Sequence, residues 1–356
     1  MNNNRLYLDI HAVQTLPPSN INRDDTGSPK TAQYGGVRRA RVSSQSWKRA
    51  MREYFNQNGE QHNVGVRTLD IVKYVAGKIM AADSSQTQET AMKLADEVIN
   101  KAGVKTKDQR AKALFFLGDV QAEKLAQAAL EGDTDKKSLQ GILKNNPSVD
   151  IALFGRMVAD DPTLNEDASA QVAHAISTHA VETEFDFYTA VDDLAPEDNA
   201  GAGMLGTLEY NSSTLYRYAN VAVHELCKQL QDKQAVIDTL KLFVESFSNS
   251  LPTGKINSYA NQTLPQMLMI TLRSDRPVSL VSAFENPIRS RQGYVQGSME
   301  ALLQEYGKMQ KFTAAPVFTA YVALDDIVTE EGLVAAASLH DLEERMAQQL
   351  QMLIEA

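Results

Sequence analysis

Apolar and polar residues alternate with a period of two near the start of the chain. The apolar positions are Leu6, Leu8, Ile10 and Ala12. This spacing predicts a strand with one buried and one exposed face. The residues that follow are rich in proline, asparagine and aspartate, which favour turn geometries. They predict a long loop that runs from Pro17 to Gly35 and Gly36.

A helix is predicted directly after Ser43 and Ser44, because either hydroxyl can cap a helix N-terminus. Its apolar positions recur at helical spacing and are Trp47, Ala50, Met51, Tyr54 and Phe55. A second stripe with the same spacing is polar and mostly basic, and consists of Gln45, Lys48, Arg49 and Arg52. At about 100° per residue the two stripes point in different directions, so the basic stripe is expected to form a continuous surface.

The chain from about 66 to 145 has helical periodicity, whereas strand patterns return at about 182–191 and 214–223. The remaining predicted elements are a helix over 234–248, strands over 266–272 and 318–324, and a C-terminal amphipathic helix. Without the helical middle, the order is strand, helix, strand, strand, helix, strand. This is the order of the ferredoxin-like fold, which RNA-recognition (RRM) domains also use. The predicted class is therefore α+β, with a ferredoxin-like (RRM-like) fold and a helical insertion.

The distribution of charge adds a function class to this picture. The 356-residue chain has a formal net charge of −10, yet residues 23–52 hold eight basic side chains and two acids, a balance of +6. Phosphate binding depends on local lysine and arginine, so this segment predicts a polyanion on one face of an otherwise acidic molecule. The alternative interpretation is an ordinary solvated helix face.

Membrane insertion and disulfide bonding are not expected. No stretch is apolar and long enough for a membrane helix, and the polar start is unlike a signal peptide. The single Cys227 can form neither an internal disulfide nor a cysteine metal site by itself. We therefore expect a cytoplasmic protein that is stabilised by packing, with no cofactor and no metal.

Catalytic motifs are absent from the sequence. Glycine-rich nucleotide loops, the His-Glu-x-x-His motif and the nucleophile elbow do not occur. Asp24 with Asp25, and Asp192 with Asp193, are acidic pairs that could hold a magnesium ion. In loops of this composition such pairs are more often turn formers. The nearest histidines, His174 and His179, are five residues apart and do not share a helix face.

Tyr188 and Thr189 lie in the predicted strand over 182–191. They could be a buried pair in the sheet or a wedge against a nucleic-acid base. The strand pattern alone favours a place in the core.

Four segments together resemble one protein family. They are residues 22–52 (NRDDTGSPKTAQYGGVRRARVSSQSWKRAMR), 149–157 (VDIALFGRM), 173–194 (AHAISTHAVETEFDFYTAVDDL) and 205–221 (LGTLEYNSSTLYRYANV). The family is the CasC-type backbone subunit of the type I-E CRISPR surveillance complex, Cascade. The segments occur in the order of the family and cover about a quarter of the chain.

The resemblance implies a hand-like architecture. A ferredoxin-like palm would comprise residues 1–58 and 182–356, helical fingers residues 59–181, and a thumb loop residues 192–213. Several copies would line up as a helical filament along one CRISPR RNA, together with other Cascade subunits. Each thumb would displace one guide nucleotide, which leaves the remaining bases free to pair with target DNA. The protein itself would be non-catalytic and would serve in antiviral defence.

The resemblance also assigns site residues by position. The expected guide-backbone contacts are Arg23, Lys30, Ser43, Gln45, Lys48, Arg49 and Arg52. The residues expected to pack against the displaced nucleotide are Met157, Tyr188 and Thr189. Lys136 and Lys137 match a basic pair on the fingers that would lie near duplex DNA.

Two other function classes remain open at this point. The first is an RNA-processing or target-cleaving ribonuclease of the same superfamily, with Asp24, Asp25 or a histidine as the catalytic group. The second is a structural subunit that contacts only other proteins.

Overall fold

The computed structural model describes residues 5–59, 63–190, 204–328 and 332–354. Its strands, numbered in chain order, are β1 Tyr7–Ser19, β2 Thr31–Tyr34, β3 Val37–Val42, β4 Gly65–Thr68, β5 Thr106–Lys107, β6 Arg110–Ala111, β7 Phe115–Gly118, β8 Ala170–Val172, β9 Ala175–Ser177, β10 Glu184–Ala190, β11 Met204–Ala222, β12 Met267–Arg273, β13 Phe318–Ala323 and β14 Val334–Ala335. Its α-helices are α1 Ser44–Asn58, α2 Ile71–Ala82, α3 Gln88–Lys101, α4 Asp119–Glu131, α5 Lys136–Lys144, α6 Val149–Phe154, α7 Val223–Leu230, α8 Lys233–Asn249, α9 Ile256–Tyr259, α10 Val295–Met309 and α11 Leu339–Leu353.

One large sheet organises the fold, so the α+β class is correct. Its strand order is β14-β13-β12-β1-β11-β9-β3-β2, and β8 and β10 also pair with β11. Strand β1 lies at the centre and runs antiparallel to both neighbours, with Ile10 opposite Ala219 on β11 and Ile270 on β12. The first strand of the chain is thus held by two strands that lie more than 190 residues later in the sequence.

Strand β1 is covered on both faces, and the predicted half-exposed strand is therefore wrong in this respect. Leu8 and Ile10 belong to a core that includes side chains of α1, α8 and α11. Val13, on the other face, belongs to a second core that includes side chains of α10. Helix α10 was not predicted, and it explains why the polar residues Asp9 and His11 are buried as well.

The predicted loop after β1 contains more regular structure than its composition indicates. Strand β1 continues to Ser19, and β2 pairs with β3 in a hairpin whose turn is Gly35–Gly36. Both glycines have positive φ, 59° and 77°, as two-residue hairpin turns require. At Gly35 a Cβ would lie 1.6 Å from the Glu285 carbonyl oxygen, so only glycine fits. Long-range packing here overrides the local preference of the sequence for a loop.

The helical middle of the chain, residues 71–164, has a hydrophobic core of its own and is called the helical unit below. Side chains from α2, α3, α4 and α5 meet there, with Val75, Ala95, Leu125 and Leu139 among them. Helix α4 ends before Gly132, which has a φ of 72°. The helix predicted over 234–248 corresponds to α8, and the strands predicted over 266–272 and 318–324 correspond to β12 and β13.

Strands β10 and β11, which contain the strand patterns predicted at 182–191 and 214–223, form an antiparallel hairpin. Their register places Tyr188 opposite Gly206 and Ala190 opposite Met204. The predicted thumb loop, 192–213, overlaps this hairpin because residues 204–213 belong to β11. Residues 192–203 lie outside the described residues.

Helix α1 forms where its pattern predicts. Ser43 is the N-cap and accepts a hydrogen bond from the Ser46 backbone N–H at 3.3 Å. The apolar face buries Trp47, Met51 and Phe55 against the sheet. Beneath Trp47, the Arg217 guanidinium lies 3.7 Å from the indole ring centre.

Asp9 and His11 form a buried polar network between the sheet and the segment before α10. Asp9 accepts hydrogen bonds from the Tyr218 hydroxyl at 2.8 Å and the Val278 backbone N–H at 3.0 Å, and Arg273 lies 3.5 Å from it. His11 Nδ1 lies 2.9 Å from the Tyr216 hydroxyl. Burial lowers the pKa of His11 to about 3, so the imidazole is neutral in the folded protein. None of the helices among the described residues could cross a membrane.

The first prediction concerns the pH dependence of stability. An unfolded histidine titrates near pH 6.5, so between about pH 6.5 and 3 the unfolded chain binds the proton that folded His11 excludes. The contribution of His11 to the free energy of unfolding must therefore fall as the pH falls below about 6.5. The stability advantage of the wild type over His11→Gln should shrink between pH 7 and pH 5 in urea titrations. Burial also raises the pKa of Asp9 to about 7. This shift increases the free energy of unfolding as the pH falls, but it is common to both proteins. A difference that does not change with pH would contradict the prediction.

Candidate nucleic-acid interface

The loop over 21–30 is fastened to the N-terminus of α1. The side-chain oxygen of Asn22 accepts a hydrogen bond from the Ser43 backbone N–H at 2.8 Å. The Asn22 carbonyl accepts a second bond from the Lys30 N–H at 2.9 Å. Ser43 therefore caps the helix with its hydroxyl and anchors the loop with its amide. Arg23 and Lys30 are brought next to the start of the basic stripe in this way.

Asp24 has a structural role within this loop. Its Oδ1 accepts hydrogen bonds from the Thr26 N–H and hydroxyl and from the Ser28 N–H, at 2.7 to 3.0 Å. The hydroxyl of Thr26 is the main cause that holds the pKa of the Asp24 carboxyl below its usual value. The prediction that Asp24 is a turn former is confirmed.

Lys48 is the most distinctive cation of the stripe. Its side chain is half-buried, and its Nζ lies 5.7 Å from the centre of the Phe154 ring. Among the described residues no carboxylate lies within 4.0 Å of it, and burial alone lowers its pKa. A partly dehydrated ammonium with no counter-charge gains energy from an incoming anion. An anion such as a phosphate would therefore be stabilised next to Lys48.

Arg49 and Gln45 lie on the exposed edge of α1. The Arg49 guanidinium, 79% exposed, bonds to Glu53 at 2.8 Å, and an exposed pair of this kind is weak and exchangeable. Arg49 and Arg23 also line a cleft of about 650 Å³ between the loop, α1 and residues 252–255. Lys255 lines the same cleft. No local pattern could have revealed Lys255, because its distance from α1 along the chain is about 200 residues.

Arg52 differs from its neighbours in the stripe because its charge already has a partner. Its Nε lies 3.4 Å from the Asp150 carboxylate, and its guanidinium lies 4.3 Å from the Phe116 ring centre. Asp150 is fully buried and also accepts from the Ser148 hydroxyl and the Gly65 N–H. Arg52 thus joins α1 to the helical unit.

Arg39 is a second basic residue of the segment that is used for structure. It is fully buried and donates hydrogen bonds to the carbonyl oxygens of Tyr34, Ser177 and Phe284. Its charge does not reach the surface, so the sequence count of +6 for residues 23–52 overstates the charge that a ligand meets.

Tyr188 and Thr189 lie on the β10–β11 hairpin and not in the core, so the core interpretation is wrong. Thr189 is exposed, and the half-buried Tyr188 ring covers the backbone of Gly206, where a Cβ would lie 2.4 Å from it. Phe185 and Phe187, each 66% exposed, occupy the other face of the same strand. The pattern predicted a strand, and a strand is present. The hairpin extends beyond the core, however, so its side chains are not fully covered.

The remaining predicted residues are all accessible. Met157 is 83% exposed, and it lies three positions after Phe154, whose ring meets Lys48. Lys136 and Lys137 begin α5 and are exposed, with Lys136 Nζ 3.9 Å from Asp161. In a single chain, the expected contact residues of the loop over 21–30 and of α1 lie close together. The structure places Lys136 and Lys137 on the helical unit, and Tyr188 and Thr189 on the hairpin.

Residues 8–351 match the Cas_CT1975 family, described as CT1975-like protein. The chain belongs to this family. A chain of a solved structure described as "CRISPR RNA-guided surveillance complex, pre-nicking" is similar to this CT1975-like protein, with a TM-score of 0.85 and 32% identity over 97% of this chain and 100% of that one. A chain of a second, described as "CRISPR RNA-guided surveillance complex", has a TM-score of 0.66 and 29% identity over 96% and 99%. No curated protein matches the chain.

The second prediction separates structural from accessible cations in this CT1975-like chain. Arg52→Met should lower the free energy of unfolding by roughly 1–3 kcal/mol, because it leaves the buried Asp150 carboxyl without its cation. Lys48→Met, on the same helix, removes no ion pair and should change stability by less than about 1 kcal/mol. Urea unfolding at pH 7 measures both values. Equal losses in the two variants would contradict the assignment of Arg52 to a structural role.

Proposed function

We propose that this CT1975-like protein is a non-catalytic, RNA-binding backbone subunit of a type I-E Cascade complex. Its role would be to hold the CRISPR RNA by its phosphates in antiviral defence. Similarity to chains of two CRISPR RNA-guided surveillance complexes supports the assembly. The observation that carries the RNA contact is Lys48, a half-buried cation near the capped start of α1, with no carboxylate partner in the part of the chain that the structure describes.

A ferredoxin-like palm is the scaffold that we propose for this contact. The central strands β12, β1, β11 and β9 are adjacent and antiparallel to one another in that order. Helix α1 follows β1, and helix α8 separates β11 from β12. With β9 as the second strand, this is the 4-1-3-2 arrangement of a split βαβ fold. The helical unit would be the fingers, and the β10–β11 hairpin would carry the thumb.

The chemistry of the interface favours contact with the backbone of the guide and not with its sequence. Ammonium and guanidinium groups of Lys48, Arg49 and Arg23 recognise phosphate charge, which is the same at every nucleotide. The Lys30 ammonium would add a further cation, and the Gln45 amide and the Ser43 hydroxyl would add neutral groups nearby. Arg52 would support this surface by holding α1, and direct contact with RNA would use only its exposed edge. Reading of the target would then rest on base pairing by the guide.

The proposal includes several copies along one guide, other Cascade subunits and target DNA as partners. The hairpin residues Tyr188 and Thr189, together with the exposed Met157, would pack against a displaced nucleotide. The half-buried Tyr188 ring, held against Gly206, is a suitable platform for a base. Lys136 and Lys137 would contact the DNA backbone from the helical unit.

A ribonuclease is the second candidate, and one observation weighs against it. The Asp24 carboxylate is occupied by hydrogen bonds of its own turn, which leaves it poorly suited to act as a general base. We infer that the chain binds RNA without cleaving it.

The third prediction tests binding to the phosphate backbone of RNA. Lys48→Gln should weaken the binding of single-stranded RNA to a similar extent for unrelated sequences. The slope of log affinity against log salt should fall by about 0.7 for the one lost phosphate contact. Lys93→Gln is the matched control, because Lys93 is an exposed lysine on α3 that pairs with Glu89 at 2.6 Å. It should bind RNA as the wild type does. A sequence-selective loss, or equal losses in the two variants, would count against the proposal.

The same preparation distinguishes the other function classes. Labelled repeat RNA incubated with the wild type and magnesium should remain intact. Cleavage that disappears in Asp24→Asn or Asp25→Asn would establish the ribonuclease instead. A wild-type protein that binds no RNA at low salt would favour the subunit that contacts only proteins.

A further inference from the structure

A second cleft, with the opposite charge, lies at the far end of α1. It has a volume of about 930 Å³ and is bounded by α8, α11, the end of α1 and the start of α6. Asn58, at the C-terminal end of α1, lines it. Lys48 is ten residues earlier, a distance of about 15 Å along a helix. The cleft is therefore separate from the proposed RNA contact.

The charged residues in the walls of the cleft are mostly acidic. Four carboxylates line it, those of Asp232, Asp238, Glu245 and Glu343. The lining also contains Lys241, but its ammonium donates to Glu344 at 2.5 Å and is neutralised there. Asp232 caps α8 through the Ala235 N–H, and Glu245 accepts from the Tyr54 hydroxyl. These contacts compensate only part of the negative charge of the cleft.

Glu343 and Thr239 carry buried polar atoms that have no hydrogen-bond partner among the described residues. Glu343 is 7% exposed, and its Oε1 has no hydrogen-bond donor among the described residues. Thr239 is fully buried, and its hydroxyl also has no partner there. Buried polar atoms are almost always satisfied in native proteins, and leaving them without a partner is costly. Burial, followed by the proximity of Glu245, raises the pKa of Glu343 to about 7.

The composition of the cleft defines the chemistry of its occupant. It must donate several hydrogen bonds and carry positive charge, which a guanidinium does in a fixed planar geometry. Val149, Leu230, Leu242 and Leu339 contribute apolar surface to the same walls. A cleft of this size exceeds the needs of a single ion and suits several side chains of one segment. Arginine flanked by apolar contacts is typical of protein interfaces.

We propose that this cleft binds an arginine-bearing segment of a partner protein, whose guanidinium lies between Glu343 and Glu245. The segment covers the apolar walls and gives the buried carboxylate its donor. This proposal does not depend on the RNA-binding function, since none of its residues belongs to the basic stripe.

The experiment uses the full-length chain without RNA. A fluorescein-labelled hexa-arginine peptide is titrated with the wild type and with three variants, and binding is followed by fluorescence anisotropy. Glu343→Gln and Glu245→Gln keep the size of the side chain but remove its charge. Glu300→Gln is the control, because Glu300 is an exposed acid on α10 and its replacement changes the net charge by the same amount. Thermal unfolding verifies that each variant is folded.

The peptide should bind the wild type saturably, and Glu343→Gln should weaken binding about ten-fold or more, since an ion-paired hydrogen bond is lost. Glu245→Gln should act in the same direction, and Glu300→Gln should stay within about two-fold of the wild type. Failure of the peptide to bind, or equal affinities for the wild type and Glu343→Gln, overturns the proposal. A parallel titration with spermidine identifies the source of the cation. Glu343-dependent binding of spermidine without binding of the peptide also overturns it, because the cleft would then be a polyamine site. RNA binding is measured separately, so its loss or retention does not affect this outcome.

Discussion

A buried guanidinium connects the parts of this protein on which its candidate site depends. Arg217, on β11, is held between the rings of Trp47 on α1 and Phe247 on α8, at 3.7 and 4.3 Å from their centres. It donates to the Gln14 side chain on β1 and to the Phe247 carbonyl, at 2.6 and 2.5 Å. Burial lowers its pKa to about 9, so the charge survives at neutral pH. One side chain thereby links two central strands and two helices.

Basic residues of one short segment serve different purposes because their surroundings differ. Arg39 is fully buried and bonds to carbonyl oxygens, and Arg52 is committed to Asp150 at 3.4 Å. Lys48 is dehydrated but has no counter-charge among the described residues, and Arg49 is exposed with a weak partner. The buried charges of Arg39 and Arg52 are stabilised by partners inside the protein, whereas a ligand would stabilise the charge of Lys48. This difference, and not the number of basic residues, supports the proposed RNA contact.

Charge is also separated along α1. Cations and a capped N-terminus lie at one end, whereas its last residues border the acidic cleft beneath α11. A molecule with a net charge of −10 can hold a polyanion only where positive groups are concentrated locally. The acidic cleft in turn repels nucleic acid and favours basic protein segments. The two ends of one helix are thus suited to different partners, and neither partner would compete for the place of the other.

Residue spacing alone determined the helices with a clear apolar stripe, such as α1, α8 and α11, and the strands β12 and β13. It also located the basic segment and its capping serine, since these features depend on neighbours within a few residues. The tertiary structure decided which cations already have partners, because Ser177 and Phe284, which bind Arg39, and Asp150, which binds Arg52, lie about 100 or more positions away. It likewise decided that β1 is covered on both faces, that Tyr188 lies outside the core, and that Lys255 joins Arg49 in one cleft. Burial and counter-charge arise from contacts between distant segments, and no local pattern of residues encodes them.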